Sequence, residues 1–220
     1  AYEIYQCDWS SDVCSSDLGN KVQGSIKVFP ERLFNQVVSL DDQGKHRWGP
    51  IAPSARVEVC FTKPSLQWHG NAYFDSNEGD EAISKPFSEW DWSRAHLKDG
   101  STAVIYDIRQ KNGIERVIAS QFNLDGSVQS FTAPERTPLR KTGWGIHRNM
   151  RSEADGNSSS VKLLNTFEDT PFYARSMLQS RLLGEDVISM HETLNIKRLE
   201  SQIVQFMLPW RMPRNPTRIY

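Results

Sequence analysis

Three pairs of side chains recur at spacing i, i+2 in the middle of the sequence: His46 with Trp48, Tyr73 with Asp75, and Trp90 with Trp92. On a strand such residues point to the same face, so each pair presents two groups together to one cavity or one packed layer. Asp75 is the candidate acid. If its face lines an apolar barrel, desolvation raises the carboxyl pKa and keeps it protonated near neutral pH. The alternative is that Asp75 opens the turn Asp-Ser-Asn-Glu-Gly and accepts backbone hydrogen bonds there. His46, when neutral, can take a proton from water or orient an acid. The indole face of Trp48 can shelter a developing cation, an attraction of about 0.5–2 kcal/mol. Against this stand a solvent-exposed strand-end histidine and a tryptophan that is simply core. Trp90 and Trp92 read as structural, with Arg94 on their face covering a ring or pairing with an acid at the rim. His69, His96, His147 and His191 carry no partner signal. An acid, an aromatic wall and a base suit protonation of an alkene followed by delivery of water. Acyl transfer is not readable, because the sequence has no nucleophile elbow and no Ser or Cys paired with a His. Nor is there a phosphate loop, a CxxC, an HExxH or metal-ligand spacing.

These residues need strands to hold them. Alternation predicts strands over 22–28, 56–61 and 66–74, the second with Val57 and Val59 inward and Arg56 and Glu58 outward. His46-Arg47-Trp48 is followed by Gly49-Pro50 and Ala52-Pro53, and Gly70-Asn71 interrupts the third strand. The polar stretch 76–86 reads as a linker and domain boundary. A hairpin follows, with strands at 90–96 and 102–108 around Lys98-Asp99-Gly100, and another turn falls at Asp125-Gly126 between 117–122 and 128–131. Further strands are expected at 144–147, 161–167, 172–178 and 187–194, and a short helix at 198–208. Regular spacing with turns between argues for an all-β barrel or sandwich.

Composition sets the outer bounds. The 220 residues have a formal net charge of −1 and no run of eighteen apolar residues that could form a membrane-spanning helix. The first eighteen residues, AYEIYQCDWSSDVCSSDL, resemble the translation of a short-read sequencing adapter and are set apart from fold reasoning. That segment carries Glu3, Asp8, Asp12 and Asp17 but no Lys or Arg; without it, 26 basic side chains face 23 acidic ones, a balance too mild to imply nucleic acid. It also holds Cys7 and Cys14, which leaves Cys60 alone and gives no sign of a disulfide framework. Asn157-Ser158-Ser159 matches a glycosylation sequon, for which a bare loop is the simpler reading.

The segments HRWGPIAPSARVEV, NAYFDSNEGDE and WDWSRA, and later FEDTPFYARS, HETLN and MLPWRMPR, resemble the carotenoid 1,2-hydratase family, also called hydroxyneurosporene synthase. The resemblance runs in order over residues 19–220. It implies a lipocalin-like, tandem β-barrel fold, with 19–86 the remnant of a truncated first barrel and 87–220 the second. It implies water addition across the terminal C1–C2 double bond of an acyclic carotene such as neurosporene or lycopene, on the way to spheroidene or spirilloxanthin. No cofactor is implied; the partners are the carotene and water. By motif, His46 and Trp48 match the family's His-x-Trp, and Tyr73 and Asp75 its Tyr-x-Asp, the positions the family implicates in catalysis. The expected roles are Asp75 as general acid, Trp48 and Tyr73 lining the cation, and His46 positioning or deprotonating water. The resemblance further implies a bacterial protein, cytoplasmic or peripheral on the inner membrane; the C-terminal FMLPWRMPRNPTRIY, with its mix of Met, Trp and Arg, reads as an interfacial anchor or as a final strand and solvated tail. Two other readings use the same cavity: a carotenoid or lipid carrier, which does not need Asp75 or His46, and a cyclase or isomerase that excludes water.

Overall fold

The computed structural model describes residues 2–3, 23–154 and 161–208. The sequon, the C-terminal residues 209–220 and all of the adapter-like segment except Tyr2 and Glu3 lie outside these. The first sheet comprises β1 (Tyr2–Glu3), β2 (Gln23–Pro30), β3 (Val38–Ser39), β4 (His46–Lys63) and β5 (Ser65–Gly79), with β4 at its centre pairing with β2, β3 and β5. The second sheet draws on β6 (Phe87–His96), β7 (Thr102–Gln110), β8 (Glu115–Phe122) and β9 (Val128–Ser130). A separate hairpin follows, β10 (Arg136–Leu139) with β11 (Arg148–Arg151). Then β12 (Lys162–Asp169), β13 (Tyr173–Leu182) and β14 (Glu185–Asn195) complete the second sheet in the order β12-β13-β14-β6-β7-β8-β9. Every ladder is antiparallel. Among the described residues no ladder joins the two edges of the seven-stranded path. Two short helices, α1 (Ile196–Leu199) and α2 (Gln202–Met207), end the described chain.

The all-β expectation holds, and the hairpin turns fall where their Asp-Gly pairs put them. Gly100 and Gly126 take φ of +85° and +92°, a left-handed conformation that costs glycine nothing sterically. The strand expected at 56–61 does not begin at Arg56. Instead β4 runs for 18 residues, with register shifts between Pro50 and Ala52 and between Ala52 and Ala55. Proline has no N–H to give a ladder, so Pro50 and Pro53 sit where a bulge can absorb them. The irregularity changes the parity of the strand: His46 and Trp48 are buried before it, and Ala55, Val57 and Val59 after it. Without it a strict alternation would turn one set to solvent. The Pro53 carbonyl freed by the bend accepts a 3.0 Å hydrogen bond from the Thr102 hydroxyl of β7.

Four other expectations are corrected. β5 is unbroken at Gly70-Asn71 and continues to Gly79, because residues 75–79 pair with the first residues of β4. The linker is therefore only the turn after Gly79. One apolar cluster joins Leu40 and Trp48 to Phe87, Trp92, Tyr106 and Phe122. Trp144–His147 is a turn between β10 and β11, not a strand. The C-terminal helix is two pieces, because Ser201 caps the second with its side chain on the Val204 N–H.

Alternation gives the second sheet two different faces. Trp90, Trp92, Tyr106, Ile108 and Leu194 face β4 and β5. On the opposite face Asp91 and Asp107, which are cross-strand partners, meet arginines. Arg136 from β10 grips Asp107 with two hydrogen bonds of 2.6 and 2.7 Å, Arg151 from β11 adds a third at 2.8 Å, and Arg109 holds Asp91 at 2.6 Å. These contacts fasten the β10–β11 hairpin to the sheet. Burial works to raise the Asp107 pKa, but the hydrogen bonds and charges of Arg136 and Arg151 outweigh it, and the carboxyl titrates below its ordinary value. Its contribution to stability is therefore complete above about pH 4 and is lost as pH falls through the lowered value. Asp107→Ala leaves the arginines without their shared partner and is expected to cost about 3–5 kcal/mol in urea unfolding at neutral pH. The variant should also show a shallower loss of stability between neutral and acid pH than the parent.

Candidate active site

Trp48 is fully buried, packed edge-on against Tyr106 and Phe122 with ring centroids 5.8 and 6.0 Å away. A buried indole N–H needs an acceptor. Trp48 Nε1 finds it in Asp75 Oδ2 at 2.8 Å. Tyr73, two residues before Asp75 on the same face of β5, donates its hydroxyl to the same oxygen at 2.9 Å. Asp75 Oδ1 accepts no hydrogen bond among the described residues. The carboxyl is thus oriented through one oxygen. The turn alternative for Asp75 does not hold: the residue lies within β5, paired with Pro50 at the bulge.

Asp75 borders a cavity of about 360 Å³ between the two sheets. Tyr73 and Asn77 share its wall of β5. Facing them are Trp92 and Arg94 from β6 and Tyr106 from β7. The third wall comes from β13 and β14, with Arg175, Met190 and Glu192. The condition of an apolar surround is not met: the lining mixes aromatic rings with two carboxylates and two arginines. Tyr73 is sandwiched among these groups, its ring 5.3 Å from that of Trp92 and its centroid 5.4 Å from the Arg94 guanidinium carbon. Burial, then the charge of Asp75 and the hydrogen bond to it, push the Tyr73 phenol far above its usual range. Tyr73 therefore remains a donor. Burial raises Tyr106 in the same way, with Asp75 and Glu192 adding to it. Burial also lowers the Arg94 pKa, although an arginine remains charged in this environment.

His46 is not brought to the cavity. It is buried at the start of β4, with Nδ1 3.4 Å from Asp41 Oδ2 and Nε2 3.1 Å from the Glu81 carbonyl. Its ring meets Phe87 edge-on at 5.0 Å. Both ring nitrogens are engaged by protein, so this geometry braces the turn between the sheets and fixes the strand end from which Trp48 projects. Burial works to raise the Asp41 pKa, and hydrogen bonds from the His46 main chain and ring outweigh it to hold the carboxyl below its ordinary value.

Trp92 and Arg94, read from sequence as structural or rim residues, line the cavity. Asn77 was missed because the strand was ended too early; extending the i, i+2 rule by one step from Asp75 finds it. Tyr106, Arg175 and Glu192 were missed because cross-strand neighbours are not adjacent in sequence. Only the alternation within β14, where Met190, Glu192 and Leu194 share a face, could have suggested Glu192.

The family described as Carotenoid hydratase CrtC matches residues 10–220, a span that begins inside the adapter-like segment. An acyclic carotenoid 1,2-hydratase of Rubrivivax gelatinosus is 57% identical over 194 residues, covering 88% of this chain and 47% of that protein. The Thiocapsa roseopersicina protein of the same name is 42% identical over 201 residues, 91% of this chain and 49% of the relative. That of Rhodobacter capsulatus is 33% identical over 195 residues, 88% and 68% respectively. The chain spans about half the length of the first two.

The state of Tyr73 gives a direct check on this geometry. A phenol raised in the folded protein stays neutral there while the unfolded one ionises near pH 10. Its contribution to stability is full below that value and declines as pH rises above it. Tyr73→Phe is expected to lessen the alkaline loss of stability in denaturant titrations across that pH range; an unchanged alkaline limb would mean that Tyr73 does not hold its proton there.

Proposed function

The chain belongs to the carotenoid hydratase family, and on that premise we propose that it carries the acid centre for water addition to the terminal C1–C2 double bond of an acyclic carotene such as neurosporene or lycopene. The observation that supports this most is the pair of donors on Asp75 Oδ2. With Trp48 and Tyr73 both on that oxygen, an acid proton belongs on Oδ1. Transfer of that proton to the less substituted alkene carbon leaves a tertiary cation at its neighbour. Water then adds to the cation and loses a proton, giving the 1-hydroxy product. Tyr73 and Trp92 turn aromatic rings toward the same space, and a ring face stabilises a cation by about 0.5–2 kcal/mol. Trp48 acts mainly through its N–H, and His46 is a positioning residue for Trp48. Only one end of a long polyene needs to enter a cavity of about 360 Å³.

A carrier would need none of the charged groups. The lining holds two carboxylates and two guanidinium groups, which suits a reaction better than storage of an apolar molecule. Membrane contact enters the proposal through the substrate, which dissolves in bilayers. Supporting it, Ile203 and Phe206 lie one turn apart on α2 and are 75% and 73% exposed; such a face suits shallow insertion at an interface.

The test is expression of the full-length protein in a lycopene-producing bacterium, with pigments resolved by chromatography and mass detection. A product heavier by one water is expected. Asp75→Asn should lower its formation by at least about 10²–10⁴-fold, the usual worth of a general acid, with the fold retained. Tyr73→Phe removes one charge-assisted hydrogen bond, worth about 1.5–3 kcal/mol, and should slow hydration roughly 10- to 100-fold. Hydration by Asp75→Asn at the parent rate would remove the acid assignment. Separately, Ile203→Asp with Phe206→Asp should reduce co-sedimentation of the protein with phosphatidylcholine vesicles; unchanged co-sedimentation would exclude α2 as the contact.

A further inference from the structure

We infer that Glu192 is the general base that takes the proton from the attacking water, so that acid and base stand on opposite walls of one cavity. The inference rests on the hydration reading above and assigns the half of it for which His46 is not placed.

Asp75 projects from β5 of the first sheet and Glu192 from β14 of the second, and both border the same space. Their relation can be followed through contacts. Glu192 is directly opposite Trp92 in the β14–β6 ladder, which puts their Cβ atoms about 4.5–5.5 Å apart on one face. The Trp92 ring is 5.3 Å from that of Tyr73, and Tyr73 is bonded to Asp75. Arg94, whose cross-strand partner is Met190, interacts electrostatically with both carboxylates. Arg175 Nε holds Glu192 Oε1 at 2.9 Å. That ion pair fixes the side chain and balances its charge. Tyr173, also beside this carboxylate, has its phenol pushed up by burial and by the Glu192 charge, so it too stays neutral.

As water bonds to a tertiary cation its O–H becomes a far stronger acid than any carboxylic acid, so a carboxylate suffices to draw the proton away while the C–O bond forms. The step balances without a further reactant. The Asp75 Oδ1 proton goes to the alkene carbon and its π electrons form the new C–H bond. A lone pair of water forms the C–O bond, and one water proton passes to Glu192. Asp75 ends as carboxylate and Glu192 as acid, and proton exchange with solvent restores both. Two carboxyl groups divided between acid and base, with room for water beside the second, follow the same logic as inverting glycoside hydrolysis.

The experiment separates proton transfer from water capture. The full-length enzyme and its Glu192→Gln variant are incubated with lycopene in D₂O, and both the hydrated product and the recovered carotene are analysed by mass. The variant should still protonate the alkene. Its cation, not captured, reverts by returning a proton to Asp75, so recovered carotene gains deuterium while hydration falls at least about 100-fold, within the usual range for a general base. Asp75→Asn should show neither exchange nor hydration. Glu192→Asp keeps the charge beside Arg175 and serves if the glutamine variant does not fold; it should exchange deuterium and hydrate more slowly than the parent. Parent-rate hydration by either variant overturns the assignment. So does loss of exchange together with hydration in a folded variant, which would place Glu192 in the acid step or in structure alone. A parent enzyme that neither hydrates nor exchanges would overturn the hydration reading itself.

Discussion

Two donors on a single carboxylate oxygen are the constraint from which the rest of the site follows. The Trp48 indole and the Tyr73 phenol both end on Asp75 Oδ2, at 2.8 and 2.9 Å. Neither donor is free to leave. Trp48 is enclosed by Tyr106 and Phe122, and an indole N–H stranded in that core would cost about 1–3 kcal/mol. Tyr73 is held between Trp92 and Arg94. The geometry reaches back to the bend at Pro50 to Ala55, which lets one strand bury Trp48 before it and Val57 and Val59 after it. A bulge beside a site re-aims side chains in this way.

The second sheet divides its labour by alternation. One face supplies Trp92, Arg94, Tyr106 and Glu192 to the cavity. The other holds an ionic layer in which Asp91 and Asp107 bind Arg109, Arg136 and Arg151 and fasten a hairpin. Adjacent residues in sequence thus serve different purposes: Tyr106 faces the cavity and Asp107 the clamp. Charges on the two faces cannot be exchanged by a one-residue slip without turning the clamp into the cavity, so the register of β6 and β7 is under strong constraint.

Much of this was legible from residue types and spacing. The same-face pairing of Tyr73 with Asp75 follows from the two-residue period, and the Asp-Gly turns from the conformational freedom of glycine. The tryptophans at 90 and 92 were correctly placed on one face, but that Trp92 and Arg94 border the cavity depends on what packs opposite, which a strand's own sequence does not encode. The Gly-Pro and Ala-Pro dipeptides gave no sign that the strand at 56–61 reaches back to His46, since proline usually marks a strand's end; here the bulges absorb it. His46 illustrates a different difficulty. Its spacing from Trp48 places both on one face, yet two residues along β4 carry that face from Asp75, which Trp48 meets, to the turn, where Asp41 and the Glu81 carbonyl meet the imidazole. Glu192 lies more than a hundred residues from Asp75 in sequence, and the ladder that sets it opposite Trp92 brings it to the same cavity.

The central claim is that the hydrogen bonds to Oδ2 reserve Oδ1 for the proton that Asp75 delivers. Neutron diffraction from crystals exchanged into D₂O at a pH acid enough to protonate the carboxyl locates that proton directly. The account predicts a deuteron on Asp75 Oδ1, with the Trp48 N–D and Tyr73 O–D both directed at Oδ2. A deuteron on Oδ2, with either donor turned away from it, would contradict it.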